Sequence, residues 1–398
     1  MPNKWTSTRL RYLAVALCSV ALTAGCASNP ASNQTTANHD GAPLAATPTI
    51  PTPPLRAVMA AHFKIGAAIE PDSTTSPEDA ALLAAQFSSL TAENKMKPGT
   101  IGVAEGKYDF EPADEIIAFA QAHHIAVRGH TLVWHYHAGE WTEAPAWFFA
   151  GDPKDPHYHD IVAARLRRYV TDVVTHFRGK VYAWDVVNEV VSDDPHQVYR
   201  EDSPWYRALG KDYIAIAFRA ARAADPDVKL YINDYSTDEP GKRAKLLSVI
   251  RELRAEGVPI DGVGHQMHIS VNWPPLPNIK QAFDDVAALG LENQVTELDV
   301  SLYTDSGECW SNPHACLPDL GHPVPNDVMR AQAERYRAVF DIFEHEPSIK
   351  AVTFWGYSDK HTWLTSVPVA RNNLPLLFDA NLKPKAAFWT IVDPSYQP

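Results

Sequence analysis

Eight short apolar runs, each followed by a stretch of helical length, fill the chain after about residue 54. Each run has the length of a β-strand and is rich in β-branched or aromatic residues. The runs are 63–69, 87–93, 126–134, 181–189, 229–235, 262–269, 294–300 and 351–358. Eight strand–helix alternations over about 340 residues predict an α/β fold, a single (β/α)8 TIM barrel with enlarged βα loops over 55–398.

Two helix starts and one helix face are predicted from local patterns. Ser76-Pro77 and Ser203-Pro204 each offer an N-cap side chain followed by proline at the first helical position. The stretch 159–177 places a set of apolar residues on one helical face, which we expect to pack on the barrel. These residues are Ile161, Val162, Leu166, Tyr169, Val170, Val173, Val174 and Phe177.

Polar side chains stand at the ends of seven of the eight predicted strands, where a TIM barrel carries its chemistry. Glu189 closes strand four, and Glu297 lies on strand seven. These two strands face each other across a barrel, so the two side chains can bracket one sugar ring. Retaining glycoside hydrolysis needs a carboxylic acid and a carboxylate about 5–5.5 Å apart. The pair therefore predicts a retaining glycosidase.

Neighbouring residues predict which carboxyl group performs which step. Glu297 and Asp299 share one face of their strand, and His268 on strand six can join them in a chain. A carboxylate bonded to a histidine that Asp299 holds stays ionised, as a nucleophile must. Glu189 follows an apolar run and has no cationic neighbour in sequence. We therefore expect its pKa to be raised, as a general acid requires.

Four motifs carry a resemblance to glycoside hydrolase family 10, the retaining endo-1,4-β-xylanases. They are WDVVNE at 184–189, TELD at 296–299, RGHTLVWH at 128–135 and FWGYSD at 354–359. The resemblance implies hydrolysis of internal β-1,4 bonds of xylan, with Glu189 as general acid/base and Glu297 as nucleophile. It also implies that Asn188 bonds the sugar 2-hydroxyl and that His268 and Asp299 support catalysis. Neither a cofactor nor a metal is implied.

Further positions resemble the sugar cleft of that family. Glu93, Asn94 and Lys97 match the residues that hold two sugars on the non-reducing side of the cut. The residues that match the family's shell around the reacting ring are His130, Trp134, Gln266 and His268. Trp355 and Trp363 match an aromatic wall that favours xylose over glucose, and Asn233 and Tyr235 match the border of the leaving-group side. The family's glutamine contact to the second sugar is His137 here, which leaves the strength of that subsite open.

Three other functions remain open. Histidines near strands three and six suggest a zinc hydrolase, but the first strand lacks the His-x-His pair common in barrel metal hydrolases. A retaining β-1,4-glucanase or mannanase of the same barrel clan is the main alternative, although such enzymes usually place proline after the acid, where Val190 stands. A non-catalytic sugar-binding protein is disfavoured, because both glutamates and their supporting residues are present.

The first 54 residues predict export. Lys4, Arg9 and Arg11 precede an apolar segment too short to cross a membrane, so residues 1–26 are predicted to be a signal peptide. It ends in TAGC, which resembles a bacterial lipobox and predicts a lipoprotein anchored through Cys26, facing the periplasm or the cell exterior. Cleavage by the general signal peptidase, with secretion, is the alternative. Residues 27–54, rich in Pro, Ala, Thr and Asn, predict a linker.

Cysteine usage and charge constrain the compartment and the partners. Cys309 and Cys316 remain as an even pair in an oxidising compartment, so we predict a disulfide in a loop at 305–325 that reshapes the leaving-group side. Acidic residues outnumber basic ones by 48 to 35, and no basic run is present, which disfavours nucleic acid. The expected partner is xylan or a xylo-oligosaccharide, the expected state is a monomer, and the lipid anchor is the one expected membrane contact.

Overall fold

Parallel strands form the inner wall of the protein. The computed structural model describes residues 43–46, 48, 51–136 and 144–398. The barrel strands are β1 Lys64–Ile69, β2 Ser89–Ala92, β3 Ala126–Gly129, β4 Ala183–Asn188, β5 Lys229–Asp234, β6 Gly262–His265, β7 Glu292–Ser301 and β8 Ile349–Phe354. Val133–Trp134 prolongs β3 alongside β4, and His268–Ser270 prolongs β6 alongside β7.

The sheet closes on itself in chain order. Each strand pairs in parallel with the next, and β8 pairs back onto β1, where Lys64 lies opposite Ala351. The predicted TIM barrel is confirmed, and each of the eight predicted runs overlaps a barrel strand. Because all strands are parallel, their carboxyl ends meet at one mouth.

Helices connect and cover the strands. Within the described residues they are Leu55–Val58, Asp72–Thr75, Pro77–Gln86, Pro98–Ile101, Glu111–Ala122, Tyr158–His176, Pro204–Leu209, Asp212–Ala224, Pro240–Ala255, Leu276–Ala287, Asn326–Glu344 and Ala386–Val392. A small antiparallel hairpin, Gly102–Ala104 with Lys107–Tyr108, lies outside the barrel.

The predicted helix signals differ in their outcome. Ser203 caps its helix, since its side chain accepts a hydrogen bond from the Trp205 amide. Ser76 occupies the N-cap position of Pro77–Gln86 without such a bond. On Tyr158–His176 the predicted apolar face is buried except for Ile161, which is 39% exposed. Ile161 precedes Val162 by one residue, about 100° around the helix, and so lies on the flank of the packed face.

A charged pair lies inside the barrel beneath its mouth. The Arg128 guanidinium pairs with both carboxylate oxygens of Asp185, and its Nε donates to Gln294 Oε1 at 2.8 Å. Both charged side chains are almost fully buried. Burial raises the pKa of Asp185, but the adjacent Arg128 outweighs this and keeps it below its usual range. His130 Nδ1 lies 2.9 Å from Asp185 Oδ2, so the pair also orients a predicted site residue.

Close packing between β3 and β4 fixes one glycine. A Cβ on Gly129 would lie 2.2 Å from the Trp184 ring of β4. No flexible side-chain end is available to move away, because Trp184 is itself buried in the core.

The features predicted for the N-terminus lie mostly outside the described residues. The predicted signal peptide, Cys26 and residues 27–42 of the predicted linker lie there. Of the described linker residues, Pro43 accepts a hydrogen bond through its carbonyl oxygen from Arg330, and Ala45 accepts one from the Tyr396 hydroxyl. Across the part of the chain that the structure describes, no helix is long and apolar enough to span a membrane.

Candidate active site

The two predicted catalytic glutamates meet in one hydrogen-bond network at the mouth. Glu189, just beyond β4, and Glu297, on β7, are both buried. Asn233 at the end of β5 donates from Nδ2 to Glu297 Oε1 and to Asn188 Oδ1, each at 2.8 Å. Asn188 in turn donates from Nδ2 to Glu189 Oε1 at 3.2 Å. Two asparagine side chains therefore connect the two carboxyl groups.

The side of the site around Glu297 carries a protonated histidine. His268 places Nε2 3.2 Å from Glu297 Oε2 and Nδ1 2.9 Å from Asp299 Oδ2. Asp299 also accepts a hydrogen bond from Trp363 Nε1 at 2.9 Å. Burial lowers the pKa of His268, but the neighbouring carboxylates of Asp299 and Glu297 outweigh it and raise that pKa to about 10. His268 is thus an imidazolium at neutral pH, and the chain expected from the alternation along β7 is present.

The environment of Glu189 differs from the sequence expectation. His135 Nε2 lies 2.8 Å from Glu189 Oε2, and Gln266 donates to Oε1 at 3.0 Å. Burial raises the pKa of Glu189, but the hydrogen bond and charge of His135, together with the Gln266 amide, lower it to about 2. The expectation of a raised pKa is therefore wrong for the unliganded site. Its cause is a histidine from a neighbouring strand, which sequence proximity to Glu189 does not show.

A tight turn directs Glu189 into the mouth. Its φ of 59° places a non-glycine residue in the left-handed region, which costs about 1–2 kcal/mol. Two backbone contacts hold this turn. The Glu189 amide donates to the Asn233 carbonyl at 2.8 Å, and Arg200 Nε donates to the Glu189 carbonyl at 3.0 Å.

Charged groups after β2 occupy the predicted non-reducing side. Asn94 donates to Glu70 Oε1 at 2.7 Å and accepts from Lys97 Nζ at 2.8 Å. The Lys97 ammonium lies 4.7 Å from the centroid of the Trp134 ring. Burial lowers the pKa of Lys97, and burial next to the Glu70 carboxylate raises the pKa of Glu93. Both shifts result from packing polar groups where water is scarce.

Aromatic rings line the wall between these two sides. Trp355 is buried and packs edge-on against His130, with ring centroids 5.3 Å apart. Trp363 packs against His268 at 5.1 Å in the same manner. Both predicted wall residues therefore contact histidines of the mouth.

Residues on the predicted leaving-group side hold Tyr235. Its hydroxyl accepts from Arg200 Nη2 at 2.8 Å and donates to Asp193. The Lys242 ammonium lies over its ring, 3.1 Å from the centroid. Asn233, expected at the same border, hydrogen-bonds both Asn188 and Glu297 from the last but one position of its strand.

Three residues of the site were missed by sequence reasoning: His135, Arg200 and Glu70. A register argument could have found His135. Trp134 pairs with Asn188 across β3 and β4, so the next residues, His135 and Glu189, become neighbours. Glu70 directly follows β1, so the rule that a barrel carries its chemistry at the carboxyl ends of its strands could have found it. Nothing comparable in the sequence indicates Arg200, which reaches the site from a loop.

The predicted disulfide is present in the loop after β7. Cys309 and Cys316 are bonded, with Cα atoms 4.6 Å apart. His137, whose subsite was left open, falls outside the described residues. Among the described residues no group of three or more His, Cys, Asp and Glu side chains is arranged to hold a metal ion.

Comparison with known proteins gives one consistent family. The model of Glycosyl hydrolase family 10 matches residues 54–394. A thermostable celloxylanase of Thermoclostridium stercorarium is 42% identical over 357 residues, 86% of this chain and 88% of that protein. A β-1,4-xylanase of Dictyoglomus thermophilum is 42% identical over 342 residues, 85% of this chain and 90% of that protein. The crystal structure of xylanase B from Clostridium stercorarium F9 superposes with a TM-score of 0.79 at 41% identity, over 86% of this chain and all of the other.

Proposed function

The chain belongs to glycosyl hydrolase family 10, and from this premise we propose that it is an endo-1,4-β-xylanase that hydrolyses internal bonds of xylan with retention. The observation that carries the proposal is the pair of buried glutamates from opposite strands, joined through Asn188 and Asn233. A retaining mechanism assigns different roles to its two carboxyl groups. Their different partners, His268 on one side and His135 on the other, match such a division.

Glu297 is the nucleophile in this mechanism. Its carboxylate attacks the anomeric carbon, the bond from that carbon to the leaving oxygen breaks, and a glycosyl ester forms. His268 orients Glu297 before attack, since its imidazolium Nε2 lies 3.2 Å from Oε2. In the second step water displaces the ester, and the same imidazolium stabilises the departing carboxylate.

Glu189 must carry a proton when the leaving oxygen departs, although it is ionised in the unliganded site. The proton in the hydrogen bond between His135 Nε2 and Glu189 Oε2 is in position to supply it. A bound sugar excludes water from this pair, and loss of water favours neutral partners over separated charges. Substrate binding thus moves the proton onto Glu189, which gives it to the leaving oxygen and later removes one from the attacking water.

Two variants and one label test these roles. A 2-fluoro xylobioside carrying a good leaving group should label Glu297, as mass spectrometry of the digested protein would show. With azide, Glu297→Ala should give the inverted glycosyl azide and Glu189→Ala the retained one. Exchange of these two products between the variants would overturn the assignment, and absence of a label on Glu297 would exclude the retaining mechanism.

A glucanase activity is the second candidate, because one relative is named a celloxylanase and another, 39% identical over 355 residues, an exoglucanase of Acetivibrio thermocellus. Both names describe those proteins. In this chain Trp355 and Trp363 stand close to the histidines of the mouth, where the family's wall crowds a hydroxymethyl group. We expect higher kcat/KM on xylan than on carboxymethylcellulose, and the reverse order would favour the glucanase.

Export as a lipoprotein anchored through Cys26 is our proposal for location, supported by the TAGC sequence after a charged and then apolar N-terminus. Labelled palmitate should be incorporated into the full chain and lost in Cys26→Ser. A secreted, unlabelled protein with the same N-terminus in both would indicate ordinary cleavage. We propose a monomer, which light scattering of the purified protein tests.

A further inference from the structure

The disulfide loop after β7 presents a tryptophan to solvent. Trp310 ends the turn Gly307–Trp310 and is 59% exposed, while the adjacent Cys309 is completely buried. A large aromatic side chain is normally withdrawn from water, since its apolar area is costly to hydrate. An exposed indole of this size is available to a ligand if the loop holds it in place.

The loop is held by more than its disulfide. Arg371 pairs with Asp305 and donates from Nη1 to the Leu317 carbonyl at 2.9 Å. The Leu317 amide donates to Asp305 Oδ1 at 2.9 Å, so the two ends of the loop share one carboxylate. The Arg371 guanidinium also lies 3.7 Å from the centroid of the Tyr303 ring. Trp310 therefore stands exposed on a fixed support.

Trp310 continues the aromatic wall of the active site. Its ring centroid lies 5.8 Å from that of Trp363, with 33° between the ring planes. Trp363 reaches the site directly, through its hydrogen bond to Asp299 and its contact with His268. Only Trp363 therefore lies between the exposed indole of Trp310 and His268, so Trp310 forms the outer edge of the aromatic wall that is expected to bind sugar.

We propose that Trp310 is a substrate-binding residue, on which one pyranose ring of the xylan main chain stacks outside the ring that faces Trp363. This inference rests on the proposed function. A pyranose has an apolar face of C–H groups and a rim of hydroxyls, so it can cover an exposed indole while its hydroxyls stay in water. Because the loop already holds the indole in place, little conformational entropy of the loop is lost when a sugar binds.

The test compares substrates that do and do not reach the loop. For wild type, Trp310→Ala, Trp310→Phe and the control Leu317→Ala, an exposed residue of the same loop, kcat/KM is measured on an aryl xylobioside and on xylotetraose to xylohexaose. Trp310→Ala should lose about tenfold on the longest substrate and nothing on the aryl xylobioside. Trp310→Phe should keep most of the activity, and Leu317→Ala all of it.

Each other result contradicts the proposal. Equal kcat/KM for Trp310→Ala and wild type at every length removes the subsite, and an equal loss at every length assigns Trp310 a supporting role behind Trp363. If Trp310→Ala loses activity only on arabinose-decorated xylan, Trp310 binds a side-chain sugar, and the proposal that it binds a main-chain ring is overturned. If the wild type cleaves none of these substrates, the proposed function itself has failed.

A second measurement needs no variant. N-bromosuccinimide oxidises exposed indoles, and peptide mapping locates the oxidised residue. A thio-linked xylohexaose, which the enzyme binds but does not cleave, should protect Trp310 in the wild-type protein, whereas xylobiose should not. Oxidation of Trp310 at the same rate with and without saturating thio-linked xylohexaose would overturn the proposal even if the alanine variant does not fold.

Discussion

Replacing Asp299 by asparagine should change the charge of His268 without removing a heavy atom. Asp299 is the main reason that the pKa of the half-buried His268 lies near 10 rather than 6.5. In Asp299→Asn the histidine keeps its burial, which lowers the pKa, and keeps Glu297 as its one remaining carboxylate partner. We expect its pKa to return to about 6.5, which corresponds to about 5 kcal/mol less preference for the charged ring.

The consequence is largest at mildly alkaline pH. At pH 8 His268 changes from about 1% neutral to almost wholly neutral. Glu297 then lacks the cation that stabilises it as it leaves the glycosyl ester, so the second step should slow by about 100-fold. The ester should accumulate, and stopped-flow measurement with an aryl xylobioside should show a burst of aryl alcohol. Below pH 6 the imidazolium is restored, and much of kcat should return.

Nuclear magnetic resonance of 15N-labelled histidine measures the cause directly. The wild-type His268 should stay protonated from pH 5 to 9, and the variant should titrate near 6.5. Because the folded-state pKa is raised, the stabilisation from His268 is complete below about pH 6.5 and disappears as pH rises toward 10. The difference in urea unfolding free energy between wild type and variant should follow this course. A variant His268 that remains protonated at pH 8 would refute the reasoning.

Other predictions concern the acid, the loop and the barrel. His135→Ala should raise the pKa of Glu189 from about 2, but it also removes the side chain that hydrogen-bonds Glu189 Oε2 and is proposed to supply its proton. The loss of kcat/KM should therefore be about 10- to 100-fold on xylan but slight on a dinitrophenyl xylobioside, whose leaving group needs no proton; equal losses on both would contradict this. The double variant Cys309→Ser/Cys316→Ser should have an unfolding free energy in urea about 2–3 kcal/mol lower than that of the wild type. The wild type in reductant is the matching control, and an unchanged urea midpoint would mean that the hydrogen bonds alone hold the loop. Gly129→Ala should destabilise the barrel by about 1–3 kcal/mol because the new methyl meets an indole of the neighbouring strand, and a melting temperature equal to that of wild type would contradict the close packing.

The strand pattern was sufficient to predict the barrel and part of the site. Period-two alternation places Glu297 and Asp299 on one face, and strand order places His268 on the neighbouring strand. These are short-range properties of a regular sheet, so the sequence carries them. The place of Trp363 in the site came from the family resemblance alone, and its hydrogen bond to Asp299, 64 residues away in sequence, was not predicted.

The electrostatics of Glu189 could not be predicted in the same way. Its pKa depends on His135, which is 54 residues away and becomes a neighbour only through the register of β3 and β4. Apolar patterns set which face of a strand is buried, but they leave register to turns and packing across the whole sheet. A Lys242 that reaches Asp193 and Asp234 from the helix after β5 is likewise invisible to local patterns.

The two N–H donors that face Glu297 determine how substitutions at this position affect the site. Asn233 and His268 each point an N–H at a different oxygen of this carboxylate. A glutamine at 297 offers one acceptor to two donors, so an N–H must face another N–H, and this supposed isostere is strained from the start. Alanine leaves the two donors converging on empty space beside a cation. We expect such a variant to bind small anions such as halide or formate, which should then raise its melting temperature.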